Sequence, residues 1–412
     1  MERYAEFKDS DIDWIGEIPK KWETSRLKYS FAIKKRIAGE IGPEVLSVTQ
    51  NGIRVKNITS GEGQLAQDYS KYQWVYPGDY IMNHMDLLTG WVDCSDYIGV
   101  TSPDYRVFTP ISAEVERSYY LYVFQHCYSG RIFYGLGQGV SGLGRWRLQA
   151  DTFKNFSLPI PPISEQRAIA NYLDSKTTEI DGLVIDQQKS IELLREYRKA
   201  VISEAVTKGL DPTVPMKDSD IDWVGEIPEE WDEKKLRFLG RISTGNHDTV
   251  DATEDGKFPF YVRSPKVERI NESSFSGEAV LMAGDGAGAG RIFHYATGEY
   301  GVHQRVYCIR SLRGITAKFL WFFMQEFFHY EIDRCNAKST VDSVRLPMLL
   351  DFLIPVPSLG EQKAVTDYLE AKTIEIDFLI TDKQQLVNKL KEYRKSLISE
   401  AVTGKFKVPG VD

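Results

Sequence analysis

The sequence predicts an α+β fold. Two mixed α/β domains are separated by two long helices that pair as an antiparallel coiled coil, the whole forming a pseudo-two-fold internal repeat. Three observations carry this. First, KDSDIDWIGEIPKKW (Lys8 to Trp22) returns as KDSDIDWVGEIPEEW (Lys217 to Trp231), with twelve of fifteen positions identical. Second, PIPPISEQRAIANYLDSKTTEID (Pro159 to Asp181) returns as PVPSLGEQKAVTDYLEAKTIEID (Pro355 to Asp377), and EYRKAVISEAVT (Glu196 to Thr207) as EYRKSLISEAVT (Glu392 to Thr403). Two such blocks in the same order identify a duplication. Third, both copies of the second block carry a seven-residue apolar period.

The blocks divide the 412-residue chain into six segments: an arm at 1–22, a first variable domain at 23–157, a first frame helix at 158–210, the repeated arm at 211–231, a second variable domain at 232–351, and a second frame helix with its tail at 352–412. The tryptophans of the arms (Trp14, Trp22, Trp223, Trp231) recur in both copies and read as packing anchors. Pro161-Pro162 and Pro357 close extended stretches. Ser164 then reads as an N-cap, with Glu165 in the first turn. From Ser164 to Thr207 there are 44 residues without proline, about 66 Å of helix at 1.5 Å per residue.

Leu173, Ile180, Gln187, Leu194 and Val201 fall seven apart, as do Leu369, Ile376, Lys383, Leu390 and Leu397. A companion series is read at Ile169, Lys176, Leu183, Ser190 and Tyr197, with Val365, Lys372, Leu379, Leu386 and Tyr393 in the second copy. These are the two seams of a coiled coil with polar interruptions. A lone helix would leave its seam in water, so two matched copies in one chain are expected to pair.

The variable domains show little direct identity but share a skeleton. Gly78-Asp79 before Ile81-Met82 matches Gly277-Glu278 before Val280-Leu281, Gly90-Trp91-Val92 matches Gly290-Arg291-Ile292, and Arg106-Val107-Phe108 matches Arg305-Val306-Tyr307. Strands are expected at Tyr80–Met82, Tyr105–Phe108, Ala279–Met282 and Arg305–Ile309, and short helices at Tyr119–Phe124 and Lys318–Phe323.

The formal net charge of −8 is the wrong sign for a nucleic-acid binder. Its distribution removes the objection. Residues 23–157 hold 14 Lys/Arg against 13 Asp/Glu, and residues 232–351 hold 16 against 16, so the acidic excess lies in the arms and helices. Any DNA contact must use local basic patches in the near-neutral domains. The first residues form no apolar leader and no apolar run approaches a membrane span, so a cytoplasmic protein is expected. Cys94, Cys127, Cys308 and Cys335 lie far apart and read as reduced thiols.

Catalytic motifs are weak or missing. Gly284 to Gly290 (GDGAGAG) resembles a phosphate-cradling loop, but Arg291 to Tyr295 after it reads as a strand, where a phosphate loop needs a helix. It reads as a glycine-rich hairpin. Phe133 to Gly137 (FYGLG) fits a short pattern of S-adenosylmethionine methyltransferases, yet N-P-P-Y/F, Walker A and HExxH motifs are absent. The six histidines, His84, His126, His247, His294, His303 and His329, have no ligand spacing. No catalytic residue and no metal site is assigned, and no cofactor is expected on the chain itself.

Basic and amide-bearing clusters are the functional candidates. In the first variable domain they are Lys34, Lys35, Arg36, Gln50, Asn51, Asn83, His84, Gln138, Arg145 and Arg147. In the second they are Asn246, His247, Arg263, Lys266, Arg291, His303, Gln304, Arg305, Lys338 and Thr340. Arginine reads guanine, and Asn or Gln reads adenine, through paired hydrogen bonds in the major groove; Lys and Ser/Thr hold phosphates. Any one of them alone is more simply a solvated surface residue; the set as a whole favours DNA.

WIGEIPxxW, a long variable stretch, P-x-x-EQ and a coiled-coil helix, all repeated across the whole chain, resemble the specificity subunit of type I restriction–modification enzymes. The resemblance implies two target recognition domains, each reading half of a split double-stranded DNA site, with an antiparallel coiled coil between them setting the gap. It implies a non-catalytic chain that partners two modification subunits, which methylate adenine with S-adenosylmethionine, and two ATP-dependent restriction subunits in the full complex. Base-reading residues vary too much in this family to be carried over, so the candidates above rest on chemistry alone. A coiled-coil scaffold joining two modules that do not bind DNA is the alternative. A self-contained methyltransferase using Phe133–Gly137 is another, distinguished by binding S-adenosylmethionine alone.

Overall fold

The computed structural model describes residues 2–58, 68–139, 146–336 and 343–411. They form two compact units, Met1–Gln187 with Leu386–Asp412, and Gln188–Gln385. Each long helix serves both units: Ile163–Lys208 and Leu359–Val402 both cross the division.

The core of each unit is the same four-stranded antiparallel sheet. In the first it runs Phe31–Lys34, Arg106–Pro110, Tyr80–Met82, Val92–Cys94. In the second it runs Arg241–Thr244, Val306–Arg310, Ala279–Ala283, Phe293–Ala296. The central strands are buried on both faces, which is why they read as unbroken apolar runs. Alternate residues face opposite sides. Tyr80, Met82 and Phe108 pack toward the helix Arg117–Ser129, while Ile81 and Val107 pack toward Leu46, Val48, Ile53 and Val75. In the second unit Val280, Met282 and Ile309 face the helix Ala317–Asn336, while Leu281, Val306 and Cys308 face Tyr300 and Val302. Both helices extend well beyond the short apolar stretches seen in sequence, because one apolar face suffices to seat a helix on a sheet.

A second layer also repeats. In the second unit it is one sheet ordered Glu268–Ile270, Phe258–Tyr261, Glu299–Val302, Phe275–Ser276, with a parallel junction at Phe260 and Gly301. In the first unit the corresponding hairpin Leu46–Thr49/Gly52–Val55 meets the pair Gln73–Val75/Gly99–Thr101 through a single parallel bridge, Val45 to Val100.

The first long helix starts two residues earlier than Ser164 suggests. The Pro162 carbonyl already accepts from the Gln166 N–H at 3.0 Å, so Ser164 lies inside the first turn and does not cap it. In the second copy the Ser358 hydroxyl caps, accepting from the Glu361 N–H at 3.3 Å. The helices end at Gly209 and Gly404, whose φ values of +73° and +68° suit a left-handed helix stop.

Within each unit the helix segments run antiparallel. Asp181 pairs with Arg394 at 2.9 Å in the first unit, and Asp377 with Arg198 at 2.9 Å in the second. These are one ion pair written twice, since each partner recurs 196 positions on. Of the first series, Leu173, Ile180, Val201, Leu369, Ile376 and Leu397 are buried, and Gln187, Leu194, Lys383 and Leu390 are half-buried. The companion seam runs one residue beyond the one read from the sequence. Leu183, Tyr197, Leu379, Leu386 and Tyr393 are exposed, whereas Thr177, Val184, Ile191 and Ala205, with Thr373, Val387 and Ala401, are buried. Heptads alternate steps of three and four residues, and only packing decides which step comes first.

The EQ motif fastens each variable domain to its long helix. Gln166 and Gln362 are fully buried. The Gln166 carboxamide accepts from the Glu116 N–H at 2.8 Å and donates to the carbonyls of Pro161 and Glu114 at 2.8 and 2.9 Å. The Gln362 carboxamide accepts from the Thr316 N–H at 2.7 Å and donates to Gly314 and Pro357 at 2.9 Å each. The arms seal the helix ends. Trp231 lies in the core beside the first helix's last turns, and Trp22 lies beside the last turns of the second helix. The Lys405 ammonium donates to the carbonyls of Ile15 and Glu17 at 2.8 and 2.6 Å, and the Lys407 backbone N–H donates to the Glu2 carbonyl at 2.8 Å.

The Trp22 indole N–H donates to Glu165. Burial raises the Glu165 carboxyl above its usual range, and the Trp22 hydrogen bond only partly opposes it. A carboxyl raised on folding favours the fold while protonated, and that contribution is lost as pH rises through its titration. Glu165→Gln should therefore raise the melting temperature at neutral pH, with the gain shrinking as pH falls through the raised folded value and nearly gone below about pH 4.3, the unfolded value. A gain that is flat with pH would mean that the Glu165 charge carries no cost.

Candidate nucleic-acid interface

In both units some of the functional candidates meet where one central strand of the sheet ends, and the others lie elsewhere on the domain. The elements there are the loop leaving the strand Tyr80–Met82 or Ala279–Ala283, and the segment that returns before the long helix. Leu148 N–H donates to the His84 carbonyl at 3.0 Å, and Val344 N–H to the Gly284 carbonyl at 2.8 Å. The same backbone stitch therefore recurs between different residues.

In the first unit this loop carries Asn83 and His84. The Asn83 side chain accepts from the Met85 N–H at 3.2 Å, and its carbonyl accepts from the Tyr128 hydroxyl at 2.7 Å. Gln138 and Arg147, both exposed, bridge each other's backbone beside it. Burial, reinforced by the charges of Arg106 and Arg147, pushes His84 down to about 4, so its ring is neutral at physiological pH. Arg106 is part of this floor: it is buried, donates to the Leu148 carbonyl at 2.8 Å and stacks on Phe153. Burial brings it down to about 10, so it stays charged. Gln50 and Asn51 form the turn of the hairpin; Gln50 donates to the Thr89 carbonyl at 3.3 Å. They rim a cleft of about 780 Å³ that also touches Trp91, Gln125, Lys391 and Lys395. Lys34 and Lys35 lie at the end of the edge strand, half-buried and exposed. Arg36 is held by the buried Asp79 carboxylate at 2.5 Å and stacks on Tyr76.

The second unit is more concentrated. Arg263 and Arg305 both donate to Asp285, at 2.8 and 2.7 Å. His303 is buried beside them; burial, with the Arg263 charge, holds it below its usual range. Gln304 donates to Asp248 at 2.5 Å, its N–H reaches the His247 carbonyl at 2.8 Å, and the Asn246 side chain accepts from Ser274 at 2.7 Å. Lys266 pairs with Glu268 at 3.1 Å. Arg291 is exposed on the far arm of the glycine hairpin, which is a 3-10 turn between antiparallel strands. Arg145, Lys338 and Thr340 lie outside the described residues.

Phe133 to Gly137 is a short helical turn with Phe133 fully buried and Trp146 donating to the Tyr134 carbonyl at 2.8 Å. Packing explains its residues. Among the described residues no group of three or more His, Cys, Asp or Glu is placed to hold a metal ion, and no helix is long and apolar enough to cross a membrane. The sequence reading missed Asp248 and Asp285, the carboxylates that organise the second cluster. The signal for Asp285 was its place between Gly284 and Gly286.

Residues 19–193 and 228–388 match the family model described as type I restriction modification DNA specificity domain. The chain belongs to that family. It is a DNA-binding specificity subunit of a type I restriction–modification system, non-catalytic in itself, that works with DNA and with the system's other subunits. A putative type I restriction enzyme MjaX specificity subunit of Methanocaldococcus jannaschii is 23% identical over 428 residues, covering 96% of each chain. Two solved structures share the fold of this specificity subunit. One, described as the structural basis of complex assembly and conformational transition of the type I R-M system, has a TM-score of 0.71 at 13% identity, covering 93% of this chain and 98% of its own. The other, the HsdS subunit from Thermoanaerobacter tengcongensis, has a TM-score of 0.53 at 13% identity, covering 94% of this chain and 98% of its own.

Proposed function

We propose that each variable domain, 23–157 and 232–351, reads one half of a bipartite double-stranded DNA target, and that the paired helices set the gap between the halves. The frames (the arms at 1–22 and 211–231, the helices at 158–210 and 352–412) dock two modification subunits, and two restriction subunits join in the full complex. Adenine methylation with S-adenosylmethionine, and ATP-dependent cleavage, belong to those partners in the prokaryotic cytoplasm. One observation carries the reading: the same sheet and the same stitched loop recur in both units, with different hydrogen-bonding side chains at the same place. A duplicated scaffold with divergent tips fits two readers of different sequences.

The test is a domain exchange. Replacing residues 23–157 by the matching segment of a relative should change one half-site of the methylated sequence and leave the other intact. Methylome sequencing of a host carrying the hybrid reads this directly. A hybrid that changes both halves together would rule out independent readers.

A further inference from the structure

We infer that Asp285 is a specificity-determining positioning residue: it holds Arg263 and Arg305 as a pair of guanine-reading forks, so that the half-site of the second domain contains G·C pairs. This rests on the proposed function and adds the chemical identity of what the second domain reads.

The geometry is specific. One carboxylate oxygen accepts from Nη1 of Arg263 at 2.8 Å, the other from Nη1 of Arg305 at 2.7 Å. The two side chains are 42% and 62% exposed while Asp285 is 23% exposed, so the acid sits below and the forks stand above it. Among the described residues, Nη2 and Nε of each guanidinium have no hydrogen bond within the protein. The platform is tied together by hydrogen bonds. Gly284 N–H donates to the Arg305 carbonyl at 2.9 Å, Arg305 N–H to His303 Nδ1 at 3.0 Å, and Asp285 bridges Ser343. A Cβ on Gly284 would stand 3.0 Å from both the Arg305 carbonyl and the Tyr307 ring, and Gly286 has φ of +73°. The loop is therefore shaped to bring this acid under the two arginines.

A phosphate contact needs charge, and a carboxylate within hydrogen-bond distance of both guanidinia would repel a phosphate while halving the site's positive charge. A guanine edge is neutral. It offers two acceptors, O6 and N7, that match the parallel N–H groups of a guanidinium held in one orientation. The cytosine amino group paired with that guanine is a donor that tolerates a nearby carboxylate. An arginine that reads a base gains from having its rotamers fixed in advance.

The test selects bound sites from a randomised double-stranded DNA library, using the chain assembled with its modification subunits. The wild-type complex should select two half-sites, one with guanine positions that Arg263→Lys and Arg305→Lys weaken. Asp285→Asn should reduce preference at those same positions by about 5- to 150-fold, the worth of a bidentate pair, and leave the other half-site unchanged. A thermal melt checks that Asp285→Asn folds; if it does not, the lysine variants, which keep the charge and lose the fork, decide. Asp285→Asn retaining wild-type preference would overturn the inference. So would uniform tightening on all sequences with a steeper salt dependence, which marks phosphate contacts. A wild-type complex that selects no bipartite site would overturn the proposed function as well.

Discussion

Gln166→Glu and Gln362→Glu should each destabilise their own unit by about 3–5 kcal/mol at neutral pH, the cost typical of an uncompensated buried charge. The substitution changes one atom, so packing is preserved. It replaces an amide that donates to two carbonyls with a carboxylate that repels both. Burial raises such a carboxyl on folding, so the loss should be greatest above the raised folded value, shrink as pH falls through it, and reach its minimum below about pH 4.3, the unfolded value. Protonation restores one of the two donations at most, so recovery should be partial. Calorimetric scans across pH measure this. Because each clamp lies within one unit, Gln166→Glu should lower the transition of the unit containing Met1–Gln187 and spare the other. Loss of less than about 1 kcal/mol, the net worth of one ordinary hydrogen bond, would show that the clamps only decorate a junction held by apolar packing.

The second large effect concerns the gap. Suppose four residues are inserted into both helices, after Gln187 and after Gln385, where the two units divide. Each helix lengthens by about 6 Å and turns by about 40° beyond a full turn. Two added base pairs lengthen DNA by about 7 Å and turn it by about 70°. Seven inserted residues keep the seam nearer to phase. They add about 10.5 Å and turn the helix back by about 20°, whereas three base pairs turn DNA forward by about 100°. The four-residue variant should prefer a target whose gap is longer by one or two base pairs. The seven-residue variant should fold better and bind poorly at every gap. Methylation by the assembled complex on DNAs of graded gap length measures both. If both variants keep the original preference, the gap is not set by the helices.

The duplication was legible because its frame residues are nearly identical. The central strands were legible because burial on both faces leaves apolar runs. The companion seam was not. Ile169 and Val365 are fully buried and point to the wrong phase, and Leu183, Leu379 and Leu386 are apolar yet exposed. Arg198 and Arg394, which look like surface residues, occupy inner positions because each has an aspartate across the pair. At the candidate interface, residue chemistry picked out Arg263 and Arg305. It could not find the acid between them, since Asp285 is 20 residues from Arg305 in sequence and meets it only through sheet pairing.

The way the N-terminal arm meets the far end of the chain bears on synthesis. The unit of Gln188–Gln385 is one continuous stretch, whereas its counterpart needs Met1–Gln187 together with Leu386–Asp412. On a ribosome the later-made unit can complete its core first. The earlier one waits, with Trp22 and Ile169 lacking Leu397, Ala401 and Phe406, until the last turns of the second helix emerge. Non-local closure of this kind is slow and leaves apolar surface open in the meantime. A ribosome that stops anywhere in the final helix thus releases a chain whose first-made recognition domain has its whole sequence and only part of its core.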